Sequence, residues 1–99
     1  MITFYRTDAF DRWLSRLRDR QAKARILKRL RAAELGRFGD CKAVGEGVFE
    51  MRVHAGPGYR LYYMRTGEVV YLLLCGGDKS SQGKDIAEAQ AMARELAKR

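Results

Sequence analysis

One proline, one histidine and two cysteines stand among 99 residues. A lone histidine excludes a His-rich metal centre, and Cys41 and Cys75 are too few for a disulfide scaffold or a four-ligand zinc site. Free thiols in a reducing cytoplasm are the expectation, and no metal or cofactor is called for. No apolar run approaches the roughly 20 residues that a membrane span needs. The segment Met1–Arg6 lacks the long apolar stretch of a secretory signal, so neither a membrane nor an exported location is expected. Scarce proline and well-spread aromatics argue against a disordered tail. There is no repeat, linker or low-complexity tract. Residues 1–99 therefore read as a single domain, long enough for one core that buries roughly 60–70% of the unfolded surface. The sequence also has no Ser-His-Asp set, no Gly-rich phosphate loop ending in Lys-Ser/Thr and no Cys-x-x-Cys.

What the chain has in excess is positive charge. Twenty Lys and Arg against twelve Asp and Glu give +8. Such a field favours a polyanionic partner, either nucleic acid or an acidic protein. Residues 8–31 hold nine basic groups and only three acidic ones, Asp8, Asp11 and Asp19. That stretch is either the solvated face of two amphipathic helices or a surface that tracks phosphates, with Arg16, Arg20 and Lys23 as candidate contacts.

Hydrophobic spacing supplies the elements. Residues 2–6 alternate as a short strand. Phe10, Trp13, Leu14 and Leu17 make one stripe on a helix over about 8–18, capped by Thr7 or Asp8. Asp19 opens a second helix with Ala22, Ile26, Leu30 and Ala33 inward, stopped at Gly36. A short strand follows over 39–45. Residues 48–54 alternate, with Phe49, Met51 and Val53 on one side and Glu50, Arg52 and His54 on the other. Gly56-Pro57-Gly58 is a turn, 59–65 a strand, and Thr66-Gly67 a tight hairpin connection. Residues 69–75 are apolar on both faces, as in a central strand covered on both sides. A flexible polar loop is expected over 76–81 and a closing helix over about 84–98. Strands joined by tight turns run antiparallel. The fold class is thus α+β: a small twisted antiparallel sheet with an N-terminal helical hairpin and a C-terminal helix. The helices are expected on one face, the other being partly open to a ligand.

The period-two rule places Arg52 and His54 on one side of a strand, beside Arg60 on the next strand, with Lys79 just past the central strand. Cross-strand spacing of about 5 Å can gather these groups around one phosphate. Tyr59 and Tyr62 lie on opposite faces, and one of them can stack a base; Tyr63 and Tyr71 read as sheet packing. Metal-free RNA cleavage suits such a set, because the ribose 2′-hydroxyl is itself the nucleophile. The protein need only align the phosphate, stabilise its extra charge and move two protons. Arg matches phosphate oxygens in pairs, and His can serve as acid or base. Glu50 is either an alternative base or an orienting partner for Arg52.

These residues resemble the RelE/ParE toxin superfamily of bacterial toxin–antitoxin modules, more narrowly its HigB-like, phage-derived addiction module killer branch. The resemblance covers nearly the whole chain. It rests on Phe10-Asp11-Arg12-Trp13-Leu14, residues 24–30, Gly39-Asp40-Cys41-Lys42, residues 45–48, Glu50-Met51-Arg52, Gly56-Pro57-Gly58-Tyr59-Arg60 and residues 73–79. It implies mRNA cleavage on the translating ribosome or, in the ParE branch, poisoning of DNA gyrase by protein contact. It also implies a cognate antitoxin, often a helix-turn-helix protein, in a toxin–antitoxin hetero-oligomer. The catalytic strand Arg of RelE-type nucleases falls on Arg60. Further basic positions of the family fall on Arg52, His54 and Lys79, read as catalytic with Arg60, while Lys42 and the basic helical hairpin are candidate RNA contacts from their charge. Two departures stand out. Glu50 occupies a position that is basic in RelE, and no Tyr follows the last strand, where Gln82 and Asp85 lie instead. A third reading is a binding module without toxicity.

Overall fold

The computed structural model describes residues 1–98. Its strands are β1 (Thr3–Arg6), β2 (Cys41–Gly45), β3 (Val48–Val53), β4 (Tyr59–Arg65) and β5 (Val70–Asp78). Its helices are α1 (Asp8–Arg16), α2 (Arg20–Glu34) and α3 (Gln82–Ala97), the last entered through a 3-10 turn at Lys79–Ser81. The fold is α+β, as the patterning implied. The sheet, ordered β1-β5-β4-β3-β2, is mixed rather than wholly antiparallel. β1 runs parallel to β5, because the chain crosses the sheet through the helical hairpin and three strands before it returns beside β1. The described residues contain no helix long and apolar enough to cross a membrane.

Local signals set the helix starts. Thr7 Oγ1 accepts from the Phe10 N–H at 3.1 Å, and Asp19 Oδ1 from the Ala22 N–H at 3.1 Å. Each such cap is worth about 1 kcal/mol. Gly36, at φ +89°, turns the chain away from α2 in the left-handed conformation that glycine tolerates best.

Helices cover both faces of the sheet, which corrects the expectation of one covered and one open face. On one face Phe10, Leu14, Ile26 and Leu30 pack on Met51, Val53, Leu61, Tyr63 and Leu73. On the other, Ala89 and Ala93 of α3 pack on Val48, Tyr62, Leu74 and Cys75. The doubly apolar β5 explains the arrangement: neither of its faces can be left to water at about 25 cal/mol per Å². Tyr63 and Tyr71 are packing residues, their rings 5.9 Å apart within an aromatic group that includes Phe4 and Phe38.

The segment 76–81 is also not the flexible loop its composition suggested. Gly76, Gly77 and Asp78 continue β5, in register with Leu61, Arg60 and Tyr59. These glycines leave room. A Cβ on Gly76 would stand 2.3 Å from Trp13 Cε3, and one on Gly77 1.8 Å from Asp85 Oδ2. Gly76→Ala is therefore expected to lower stability by about 1–3 kcal/mol, as overpacking does, read as a reduced denaturant midpoint at unchanged slope. The Thr66-Gly67 connection is longer than a two-residue hairpin, since β4 ends at Arg65 and β5 begins at Val70.

Candidate active site

Register brings the functional residues together. In the antiparallel β3–β4 pair, Arg52 stands directly opposite Arg60, and Glu50 opposite Tyr62. Two like charges facing each other across a ladder are destabilising by themselves. The neighbouring pair supplies the counter-charge. Glu50 is fully buried, and its Oε1 accepts from Arg52 Nε at 3.0 Å. Its Oε2 accepts from the Tyr62 hydroxyl at 3.1 Å and from Gln82 Nε2, in the first turn of α3, at 2.9 Å. Arg60 Nε lies 3.7 Å from the same oxygen, an ion pair too long for a hydrogen bond. Among the described residues Arg60 Nε is the one buried side-chain polar atom with no hydrogen-bond partner. Glu50 is thus the orienting partner for Arg52 rather than a base open to substrate.

Burial alone would raise the Glu50 carboxyl. Hydrogen bonds from Gln82, Arg52 and Tyr62, with the Arg60 guanidinium nearby, outweigh it and hold the group below the ordinary carboxylate range. Burial and the adjacent Glu50 carboxylate push the Tyr62 phenol well above its ordinary value. Tyr62 therefore donates a proton to a hydrogen bond and keeps it.

The backbone under the site is clamped from α2. Arg25 donates to the His54 carbonyl at 2.6 Å, and Arg29 donates to the carbonyls of Arg52 and, at 2.9 Å, of Phe38. Two of the nine basic groups on the helical hairpin are therefore internal braces. The Gly56-Pro57-Gly58 turn, with φ +51° and +83° at its glycines, folds β3 back into β4 beside the site. Arg60 Nη1 donates to the Gly58 carbonyl at 3.1 Å. His54 is exposed, and its Nε2 meets Asp40 Oδ2 at 2.8 Å. That bond, first among the causes, holds the Asp40 carboxyl below its ordinary value.

Both depressed carboxyls set an acid limit on the fold. A group whose folded pKa lies below its unfolded one stabilises at pH values above the unfolded pKa and loses that contribution as pH falls through the folded one. Thermal stability is therefore expected to hold near neutrality and to decline below about pH 4, the ordinary carboxylate range. Melting temperatures followed from pH 7 to pH 2 check this, and Glu50→Gln should flatten part of the decline.

A cleft of about 470 Å³ opens over these groups, lined by Arg52, His54, Tyr59, Arg60, Lys79 and the Gly56–Gly58 turn. Four side chains singled out as catalytic candidates, and one of the two candidate stacking rings, thus border one space. Lys79 enters it from the start of the 3-10 turn, immediately beyond β5. Tyr59 lines it with its ring edge-on to Trp13, at 6.2 Å between centroids.

Tyr62, the other stacking candidate, is corrected: it is fully buried beneath α3 and bonded to Glu50, so no base can reach its ring. Lys42 pairs in register with Glu50 but is exposed on the outermost strand β2, outside the cleft. Arg16, Arg20 and Lys23 lie on the helical hairpin, likewise outside it. Sequence reasoning missed Asp40, Gln82, Arg25 and Arg29. Asp40 was within reach: continuing the Cys41–Met51 register by one residue sets it opposite Arg52, whose N–H it accepts at 2.9 Å. The other three depend on how the helices dock, which periodicity does not encode.

A five-stranded mixed sheet with two N-terminal helices and one C-terminal helix makes this a RelE-like α+β fold, although Glu50 departs from the RelE pattern. The sequence profile of the family described as phage derived protein Gp49-like (DUF891) matches residues 12–98, and the chain belongs to that family, a toxin-like family of RelE/HigB type associated with toxin endoribonucleases. An uncharacterized protein of Haemophilus influenzae (strain Rd) is 49% identical over 90 residues, 91% of each chain.

Proposed function

We propose that this protein is the toxin of a type II toxin–antitoxin pair, of the HigB-like branch, and that it cleaves mRNA in the decoding site of the ribosome. The observation that carries this reading is the convergence of Arg52, His54, Arg60 and Lys79 on one cleft. The ribose 2′-hydroxyl attacks the adjacent phosphorus and the 5′-oxygen leaves, giving a cyclic phosphate and a free 5′-hydroxyl. Arg60 and Arg52 stabilise the charge that builds on the phosphoryl oxygens. Lys79 holds the backbone or protonates the leaving oxygen. His54, oriented by Asp40, moves a proton. Tyr59 offers its ring to a base at the cleft wall, and the basic groups outside the cleft, Arg16, Arg20, Lys23 and Lys42, grip ribosomal RNA. The nuclease works in the cytoplasm, and its cognate antitoxin, a helix-turn-helix protein, neutralises it as a hetero-oligomer.

A toxin acting only by contact with gyrase would treat Arg52 and Arg60 as ordinary surface charges. Their arrangement favours the nuclease. Surface charges need no fully buried carboxylate to aim them, and burying one costs several kcal/mol of desolvation before it is compensated. Inducing the protein without its antitoxin and mapping RNA ends tests the reading. New 5′-hydroxyl ends within translated mRNA, with translation stopping before replication, are expected. Replication arrest with intact mRNA would overturn it in favour of gyrase poisoning, and undisturbed growth in favour of a non-toxic binding module.

A further inference from the structure

Arg25, Lys28, Arg29 and Ala32 recur on α2 at i, i+3, i+4 and i+7, a stripe beside the inward one of Ile26, Leu30 and Ala33. Between this stripe and the end of β3 lies a hollow of about 390 Å³, lined by those four residues with Val53 and His54. Four of its six lining residues are basic and none is acidic. Among the described residues Arg25, Lys28 and Arg29 form no ion pair. The bonds of Arg25 and Arg29 to the His54, Arg52 and Phe38 carbonyls fix both guanidinium groups without cancelling their charge. Lys28 is exposed. Asp40 engages His54 Nε2 at 2.8 Å but does not line the hollow.

The hollow is joined to the cleft. Val53 and His54 line both spaces, so His54 stands at a threshold between two cationic surfaces. Residues two apart in extended backbone advance by roughly 6.6 Å. The step from Arg52 to His54 is therefore close to one nucleotide of an extended strand. Ala32 and Val53 give the hollow an apolar floor under its cationic rim. A nucleotide matches both parts, with its sugar on the floor and its phosphate on the rim. Continuity with a cleft suited to a phosphodiester selects RNA over an acidic peptide.

We infer that the hollow is a second phosphate subsite: one RNA strand runs through the cleft, past His54 and onto α2, and the phosphate next to the scissile one rests on Lys28 and Arg25. The inference rests on the nuclease reading and adds the path of the strand. Recognition then extends at least one nucleotide beyond the bond that is cut, on the His54 side. Arg25 and Arg29 serve twice, bracing the backbone of β3 and raising the positive potential beneath the strand.

The test uses 2′-fluoro uridine oligomers, which have no hydroxyl to attack phosphorus and stay intact. A dinucleotide has a single phosphodiester and can fill only the cleft, whereas a tetranucleotide can reach the hollow as well. Each is titrated against the full protein and followed by backbone amide NMR shifts. Lys28→Glu is expected to weaken the tetranucleotide about tenfold and the dinucleotide by less than about twofold, and Lys28→Ala to lower the tetranucleotide's log–log salt slope by about 0.7. Arg60→Ala should weaken both oligomers. Arg94→Glu makes the same charge change on α3, across the sheet, and should move neither by more than about twofold. Lys28 and Arg94 are exposed, so unchanged melting temperatures should certify both folds. If Arg60→Ala weakens both oligomers but Lys28→Glu weakens neither, or both equally, or no more than Arg94→Glu does, the subsite is overturned and the cleft reading stands. If neither oligomer binds the parent, or Arg60→Ala weakens neither, the cleft reading fails and takes the strand path with it. A hexaglutamate peptide that binds as tightly as the tetranucleotide and is lost equally in Lys28→Glu also overturns the inference, since the occupant would then be an acidic protein segment.

Discussion

Arg60→Ala is expected to abolish growth arrest and to slow RNA cleavage at least a hundredfold. Loss of one aimed donor to a developing oxyanion costs about 3–4 kcal/mol of barrier. The fold should survive. Arg60 makes one hydrogen bond, from Nη1 to the Gly58 carbonyl, and its buried Nε makes none, so removing it frees a single turn carbonyl. Glu50 keeps its bonds from Arg52, Tyr62 and Gln82. Arg60→Lys should rescue little, because an ammonium keeps the charge but not the paired N–H geometry. Growth rate after induction and cleavage yield at matched expression measure both variants. Undiminished toxicity of Arg60→Ala would falsify the assignment of this cleft.

Glu50→Ala should be the most damaging single change to stability, by about 3–5 kcal/mol, as expected when one member of a buried ion pair is removed. It leaves Arg52 and Arg60 facing each other without a counter-ion, and the Tyr62 hydroxyl and Gln82 amide without their acceptor. Glu50→Gln separates packing from charge. It fills the same space and can still accept hydrogen bonds, so its stability should fall less, while RNA cleavage should drop because the two guanidinium groups now repel. Denaturant midpoints and cleavage rates, taken together, distinguish the two effects. If both variants unfold at the parent midpoint, the carboxylate does not organise the site. The exposed ion pairs Arg94–Glu46 and Lys98–Glu95 make a useful contrast, since breaking either should change stability by less than about 1 kcal/mol.

Much of this was legible in the chain itself. Alternation over residues 48–54 placed Glu50 and Arg52 on one side of a strand, and the β3–β4 register sets Arg60 across from Arg52. The cap residues Thr7 and Asp19 marked both helix starts. The errors share a cause. Tyr62 stands beside Tyr59 as a stacking candidate because the closing helix, spaced weakly by Ile86, Ala89, Ala93 and Leu96, gives no sign of which face it covers. Gly76-Gly77 read as a loop because glycine signals flexibility and close packing alike, and only the Trp13 ring and the Asp85 carboxylate show which applies. The parallel pairing of β1 was illegible for a related reason. Neither its direction nor its partner is written in four residues, and both follow from the route the chain takes through everything between them.

The braces around the cleft come from distant parts of the chain. Arg25 and Arg29 hold the backbone from beneath, Gln82 steadies the carboxylate from above, and the arginines themselves arrive on two strands in between. An incomplete chain therefore has no partial version of this cleft. Synthesis must pass Gln82 before the guanidinium groups are locked in place, so the reactive geometry arrives late and all at once, and a fragment ending before α3 should be harmless to the cell that makes it.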